Sequence, residues 1–308
     1  MKTGFVGIVG RPNVGKSTLL NAILGEKIAI TADKPQTTRN SIRGIYTHFK
    51  DKEGQGEMAG PKEDVQIVFI DTPGIHKPKN KLGSYMDEMA YNTLKEVDAV
   101  LFLVDANPKK GHGDEFIVNM LKETDTPKFL LINKIDTIEP EEFKKMYEDF
   151  EKTGVFDRIF GISALQGQNV ADVLEALTEL LEEGPMFFPP EMITDHPERF
   201  IVSEIIREKA LYYLQDEVPH GIAVEIESFK EEGNLSRINA VIYCEKKSHK
   251  GIILGKGGKK IKGIGKSARI EIEGLLGTKV YLELWVKVKE NWRDSDFALS
   301  NFGYKNEN

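Results

Sequence analysis

The chain of 308 residues contains one cysteine, Cys244. A single thiol excludes any intrachain disulfide, fits a reducing cytosol, and suits a core position at the end of an apolar strand pattern. No apolar run approaches the ~20 residues that a membrane-spanning helix needs. The start, Met1-Lys2-Thr3-Gly4, leads straight into an apolar segment, so a secretory signal is not expected. His76, His112, His196 and His220 fall at no metal-ligand spacing. An excess of basic charge is lacking as well. Lys and Arg number 42 against 49 Asp and Glu, a net charge of −7, which taken alone argues against nucleic-acid binding. What is there is an ordinary globular composition, 40% hydrophobic and 30% charged, over a length that supports two domains with separate cores.

One stretch organises the rest. Gly10-Arg11-Pro12-Asn13-Val14-Gly15-Lys16-Ser17 fits the phosphate-loop pattern GxxxxGK[ST] at every fixed position, and Thr18 continues it. Phe5, Val6, Ile8 and Val9 before it read as a buried strand, and residues 17–24 after it as a helix. In that setting successive backbone N–H groups curl around anionic oxygens and the helix N-terminus adds its positive end. Lys16 is placed to reach the β- and γ-phosphates, and the Ser17 hydroxyl to ligate Mg²⁺. The motif specifies a nucleoside triphosphate and leaves the base open.

The base and the metal are addressed further on. Residues 65–70 form an apolar strand that ends in Asp71-Thr72-Pro73-Gly74, a site for a direct or second-layer Mg²⁺ anchor at Asp71 and a γ-phosphate contact at the Gly74 N–H. Residues 129–132 form another, ending in Asn133-Lys134-Ile135-Asp136. A buried Asp136 carboxylate can accept both donors on one edge of guanine, a pair that adenine lacks. Asn133 is expected to bridge back to the phosphate loop and the Lys134 stem to lie over the base. After the strand 159–162 come Ser163, Ala164 and Leu165, with the Ala164 N–H expected to meet the guanine oxygen.

Apolar strands alternate with helical stretches near 83–95, 113–123, 140–153 and 168–183, and every motif follows the carboxyl end of a strand. That alternation predicts an α/β domain with a doubly wound, mostly parallel sheet. The set GRPNVGKS, DTPG, NKID and SAL, in this order, resembles the Ras-like translation-factor GTPases over residues 4–183. The resemblance implies GTP as substrate, GDP as product, Mg²⁺ as cofactor, and Lys16, Thr38 and Gly74 as the catalytic set. Ser17, Thr38 and Asp71 become the metal set, with Thr37 as the alternative to Thr38. Asn13 matches a position that binds a monovalent cation in some relatives. One departure bears on mechanism: the place of the water-orienting glutamine is taken by Ile75, which cannot hydrogen-bond water, so intrinsic hydrolysis is expected to be slow or to use another group. Residues 51–64, glycine-rich and charged, are expected to form a hairpin tip.

Prolines in residues 184–198 mark a linker between a domain of residues 1–183 and a second of 199–290, with a tail of 291–308. The second part reads as helix, two strands, two helices and a strand, with Gly255-Lys256-Gly257-Gly258 between the middle helices. This order resembles the KH module in its prokaryotic topology, an α+β fold whose GXXG loop clamps single-stranded nucleic-acid backbone. Gly255, Lys256, Gly257, Gly258, Lys259, Lys260 and Lys262 form the candidate RNA contact. From Lys246 to Arg269 there are nine Lys or Arg and no Asp or Glu, a basic block inside an acidic chain. A solvated lysine-rich connection is the alternative. Tyr212 and Tyr213 are expected to pack rather than to stack on bases.

A Ras-like GTPase domain followed by a KH module resembles the bacterial ribosome-assembly GTPases, and Pro35-Gln36-Thr37-Thr38-Arg39 and the tail residues Asn291 to Tyr304 agree with that family along the whole chain. The resemblance implies binding to the 3′ end of small-subunit ribosomal RNA, association with the small subunit, a monomer, and a cytoplasmic location with some peripheral membrane contact. A constitutive RNA-binding scaffold holding GTP only structurally contains the same motifs.

Overall fold

In the computed structural model the described residues are 1–34, 36–51, 60–75, 78–107 and 112–304. Most of the expected hairpin tip, together with Pro35 and His76, lies outside them, as does the side chain of His112.

The first half folds as its apolar runs dictate. Strands β1 (Lys2–Gly10), β2 (Ile42–His48), β3 (Val65–Asp71), β4 (Ala99–Asp105), β5 (Lys128–Asn133) and β6 (Arg158–Ile162) make one sheet in the order β2-β3-β1-β4-β5-β6. All neighbours are parallel except β2 and β3. Strands covered on both faces need continuous apolar sequence, and Val6, Ile8, Phe69, Leu101, Phe102 and Leu131 are fully buried. The crossovers are helices α1 (Lys16–Leu24), α2 (Lys81–Thr93), α3 (His112–Lys122), α4 (Pro140–Glu151) and α5 (Val170–Leu180). Helix α4 starts at a capping box, Glu139 with Glu142, and carries Pro at its first position, where a missing N–H costs nothing.

Residues 184–195, expected to be a stiff linker, are fastened to this sheet instead. The Ile45 N–H donates to the Ile193 carbonyl at 2.8 Å, and Thr194 Oγ1 donates to the Arg43 carbonyl at 2.7 Å. The fully buried Gln66 amide accepts from the Phe187 and Phe188 N–H groups at 2.7 and 3.0 Å and donates to the Phe188 carbonyl at 2.8 Å. Proline prevents a helix there, but an extended chain can still satisfy the groups along the β2 edge.

The chain forms two compact units. The first spans 1–29, 38–77 and 86–195; the second spans 30–37, 78–85 and 196–308. The second contains α6 (Glu198–Tyr213), β7 (Ala223–Glu232), β8 (Leu235–Cys244), α7 (Lys247–Leu254), α8 (Lys259–Leu276), β9 (Lys279–Val288) and a short α9 (Asp296–Asn301). Its sheet runs β7-β8-β9, antiparallel then parallel. The helix-strand-strand-helix-helix-strand order is the expected one. The core gathers Ile205, Ile206, Ile238, Ile242, Ile253, Ile264 and Ile272, with Cys244 among them and Ile30 added from the segment 30–37. Strand β7 runs on to Glu232 through charged residues paired with β8, a part that apolar alternation cannot mark. At the start of the tail, Trp292 is fully buried and its indole N–H donates to the Gly221 carbonyl at 2.9 Å.

Candidate functional site

The phosphate loop joins the end of β1 to the start of α1. Its turn places Asn13 at φ 66° and Gly15 at φ 101°. A Cβ on Gly15 would collide with the Asn133 amide nitrogen, so glycine is required there on both counts. Lys16 is buried, and its ammonium donates to the carbonyls of Gly10 at 3.2 Å and Arg11 at 2.9 Å. Burial lowers its pKa to about 8, and the nearby Asp71 carboxylate opposes that shift. Arg11 pairs outside the loop, its Nε 2.6 Å from Asp114 Oδ1.

Three oxygen groups meet under Lys16. The Ser17 hydroxyl donates to Asp71 Oδ2 at 2.6 Å, so the 2.9 Å contact between Ser17 Oγ and Thr38 Oγ1 has Thr38 as donor. Asp71 is fully buried, and its Oδ1 has no hydrogen-bond partner among the described residues. Burial raises the Asp71 pKa to about 6, against the pull of Lys16 and the Ser17 hydrogen bond. Two hydroxyls and a carboxylate with an orphaned oxygen are the donor set that a hard divalent cation takes, so the residues fit Mg²⁺. Thr37 lies elsewhere: its hydroxyl donates to the Ala32 and Lys34 carbonyls at 3.1 and 2.6 Å.

The segment after β3 is pinned to β1, with Thr72 N–H and Oγ1 donating to the Ile8 carbonyl at 3.2 and 2.9 Å. Pro73 and Gly74 follow. A Cβ on Gly74 would stand 2.6 Å from the Pro12 nitrogen, so that position sits directly against the phosphate loop. The Ile75 side chain turns into the core beside Val9, Val104 and Ile117, and its N–H donates to the Gly10 carbonyl at 3.2 Å. The side chain therefore acts as packing and places no polar atom near the loop.

On the base side, Asn133 is buried and spans two segments. Its Nδ2 donates to the Val14 carbonyl at 2.7 Å, and its Oδ1 accepts from the Ala164 N–H at 2.9 Å. The Ala164 amide, expected to face guanine, is thus taken up by Asn133. Lys134 adopts φ 69°, and its ammonium reaches the Asn13 carbonyl at 3.1 Å and Asp105 at 3.0 Å. Asp136 is exposed rather than buried, because it follows the strand end in a single 3₁₀ turn over Ile135–Thr137. The Gln166 amide is 3.5 Å from its Oδ2. Ser163 is buried with its hydroxyl unpartnered among the described residues, whereas Leu165 is 82% exposed beside it. Asp105, Asp114 and Gln166 are partners that the motifs did not reveal, since each lies outside the fixed pattern positions.

In the second unit, Gly255, Gly257 and Gly258 have φ of 68°, 62° and 72°, three positive-φ residues in four, of which Gly257 and Gly258 are left-handed. A Cβ on Gly255 would stand 2.7 Å from the Lys260 Cβ, so the turn closes tightly on the start of α8. Around Gly257 and Gly258 the space is open. Lys256, Lys259 and Lys262 are exposed, while Lys260 is half-buried against the turn. Tyr213 packs over Gly263 with its hydroxyl 3.3 Å from Ser267 Oγ, and Tyr212, 58% exposed, donates to the Thr31 carbonyl at 2.9 Å.

A phosphate loop on a doubly wound sheet, followed by a helix-flanked three-stranded sheet with a glycine turn, defines a P-loop GTPase carrying a KH domain. A family described as 50S ribosome-binding GTPase matches residues 5–134, and one described as KH domain matches residues 217–293. The chain is 58% identical over 305 residues to GTPase Era of Alkaliphilus oremlandii, covering 98% of this chain and 99% of that one. It is 53% identical to GTPase Era of Clostridioides difficile, covering 98% of each. Two solved structures superpose with a TM-score of 0.90 over 99% of both chains. One is an Aquifex aeolicus Era variant bound to GDP·AlF4⁻, at 40% identity. The other is Era in complex with MgGDPNP and nucleotides 1506–1542 of 16S ribosomal RNA, at 42% identity. The chain belongs to the GTPase Era family, and it hydrolyses GTP to GDP and phosphate.

Proposed function

We propose that this GTPase is a switch that binds the 3′ region of small-subunit ribosomal RNA and assists assembly of the small subunit. The observation that carries the reading is the joint presence, in one chain, of the Ser17–Asp71–Thr38 oxygen cluster and the basic turn of three positive-φ glycines. The 42%-identical Era held with ribosomal RNA supports the choice of RNA.

In this reading residues 10–18 cradle the phosphates and Lys16 neutralises charge that builds on the leaving oxygens as water attacks in line. Ser17, Asp71 and Thr38 would hold Mg²⁺, which would supply positive charge to offset the charge of the phosphates. Gly74 meets the γ-phosphate through its backbone. Asn133, Lys134 and Asp136 enclose and read the base, with Ser163 and Leu165 beside it, while the Ala164 N–H holds the Asn133 side chain. Gly255 to Lys260 and Lys262 hold RNA backbone. A monovalent cation beside Asn13 and peripheral contact with the inner membrane face are further proposals that rest on the family resemblance. So are a monomeric state and a cytoplasmic location. Among the described residues no helix is long and apolar enough to cross a membrane.

Single-turnover GTP hydrolysis, with and without an oligonucleotide of the ribosomal RNA 3′ end, tests the switch. A change in rate or in RNA affinity between nucleotide states is expected, because a switch requires differential affinity. Equal values in all states would leave a constitutive RNA-binding scaffold.

A further inference from the structure

The two halves of the phosphate loop are fastened to different parts of the first unit. The later half is tied to the base side: Asn133 Nδ2 donates to the Val14 carbonyl at 2.7 Å, and the Lys134 ammonium donates to the Asn13 carbonyl at 3.1 Å. The earlier half is tied elsewhere. The Ile75 N–H donates to the Gly10 carbonyl at 3.2 Å, and Gly74 lies against Pro12. The Arg11 side chain leaves the loop for the first turn of α3, where its Nε stands 2.6 Å from Asp114 Oδ1. The Asp114 side chain is only 6% exposed, so this is a buried carboxylate and not a surface ion pair.

The pair acts as a strut because both of its ends are fixed. Helix α3 is planted in the core, with Ile117, Val118 and Leu121 in one cluster with Val9 and Ile75. Gly113 admits the arginine: a Cβ there would stand 2.6 Å from the Arg11 Cδ, so the stem lies directly across that residue. A buried carboxylate is costly once its partner is withdrawn, which favours the loop conformation in which Arg11 reaches Asp114. At the other end, the Arg11 carbonyl accepts from the Lys16 ammonium at 2.9 Å. The next residue, Pro12, has a ring-fixed φ and abuts Gly74. The strut therefore ends on the half of the loop that meets Gly74, away from the half tied to Asn133 and Lys134.

We infer that Asp114 is a positioning residue for GTP hydrolysis: through Arg11 it fixes the Gly10–Pro12 half of the phosphate loop, against which Gly74 presents its backbone to the γ-phosphate. The inference rests on Gly74 being the γ-phosphate contact. It divides the loop into a half that sets affinity, held by Asn133 and Lys134, and a half that sets rate, held by Asp114. No phosphate-loop motif contains a residue of α3.

The test uses the full chain and four variants: Asp114→Asn, the double substitution Arg11→Met with Asp114→Leu, Arg11→Lys and Gly74→Ala. The readouts are kcat at saturating GTP, GDP affinity and the melting transition. Asp114→Asn keeps the shape and removes the charge. It is expected to lower kcat about tenfold, since a charged hydrogen bond is lost and small misplacements of reacting groups are costly. GDP affinity should stay within about twofold, because GDP lacks the phosphate that this half of the loop serves. The double variant leaves no buried charge unpaired, so it serves if Asp114→Asn does not fold, and it should show the same split between kcat and GDP affinity. Arg11→Lys can still reach the carboxylate and should retain more of kcat than the double variant. A folded Asp114→Asn or double variant with wild-type kcat overturns the inference. So does GDP affinity falling in step with kcat, the mark of a prop for the whole loop. Gly74→Ala is expected to lower kcat with GDP affinity kept. Should it do so while the Asp114 variants do not, the γ-phosphate reading stands and the inference alone fails. Should Gly74→Ala weaken GDP and GTP binding alike at unchanged kcat, the γ-phosphate reading fails and the inference falls with it.

Discussion

Asn133 ties the end of β5 to the phosphate loop through a 2.7 Å hydrogen bond from its Nδ2 to the Val14 carbonyl. In the proposed reading, base recognition and phosphate recognition therefore share one side chain. Asn133→Ala strands the Val14 carbonyl and the Ala164 N–H, at roughly 1–3 kcal/mol for each stranded group. GTP affinity should fall by at least tenfold, read by titration with a fluorescent analogue. Gly15→Ala should fail in the same assay, because its methyl would enter the space of the Asn133 amide. Wild-type GTP affinity in Asn133→Ala would break the link between the two subsites.

Reading guanine through Asp136 gives a second expectation. Asp136→Asn should weaken GTP binding by about 2 kcal/mol or more. It should favour xanthosine triphosphate, whose 2-oxo group accepts where guanine donates. Since Asp136 is exposed, the melting transition should stay near wild type, within the ~0.5 kcal/mol typical of surface positions. Equal GTP affinity in mutant and parent would remove Asp136 from the base site.

Ile75 separates packing from chemistry. It is 3% exposed within the first unit's core, so Ile75→Ala should cost about 2–5 kcal/mol of stability. The rate of the chemical step per folded molecule should change little, because no polar group is lost. A rate collapse at full GTP occupancy would show that the side chain shapes the site.

For the glycine turn, charge reversal is a cleaner probe than a substitution at Gly258. That residue sits at φ 72°, where any L side chain is strained by about 1–2 kcal/mol even if aspartate tolerates it better than most. Lys256→Glu adds no such strain. Affinity for single-stranded RNA should drop, and the salt dependence should flatten by roughly 0.7 in log–log slope, because one phosphate fewer is neutralised. An unchanged slope would return this stretch to being a solvated surface.

Much of the nucleotide site is legible in the sequence because the motifs depend on local rules. A phosphate loop between strand and helix, and carboxylates at strand ends, follow from spacing within about ten residues. Asp136 departs from the expected burial because exposure beyond a strand end is set by the turn that follows, here a single 3₁₀ turn. Ala164 departs from its expected role because its partner, Asn133, lies 31 residues away. Residues 184–195 read as a linker because prolines signal the lack of a helix, whereas their docking depends on the edge of β2 and on Gln66. Arg207 and Glu208, both fully buried on α6 within the second unit, give no signal at all, because charged residues on a helix read as solvent-facing.

The second unit is assembled from three separate stretches of chain, which sets an order of events during synthesis. Ile30 and Tyr85 emerge from the ribosome long before the residues they pack with: Ile30 joins the core built on α6, and Tyr85 lies with its ring centroid 6.3 Å from that of Tyr304. At ~5–20 residues per second, the delay between Ile30 and the end of α6 is roughly 10–40 s. Throughout that interval the nascent chain carries an isoleucine and a charge-lined loop with nothing yet made to receive them. A ribosome halted between Asp195 and Pro197 should therefore hold a folded sheet with a protease-sensitive 30–37 segment, and cleavage there should cease once α6 and β7 to β9 have emerged.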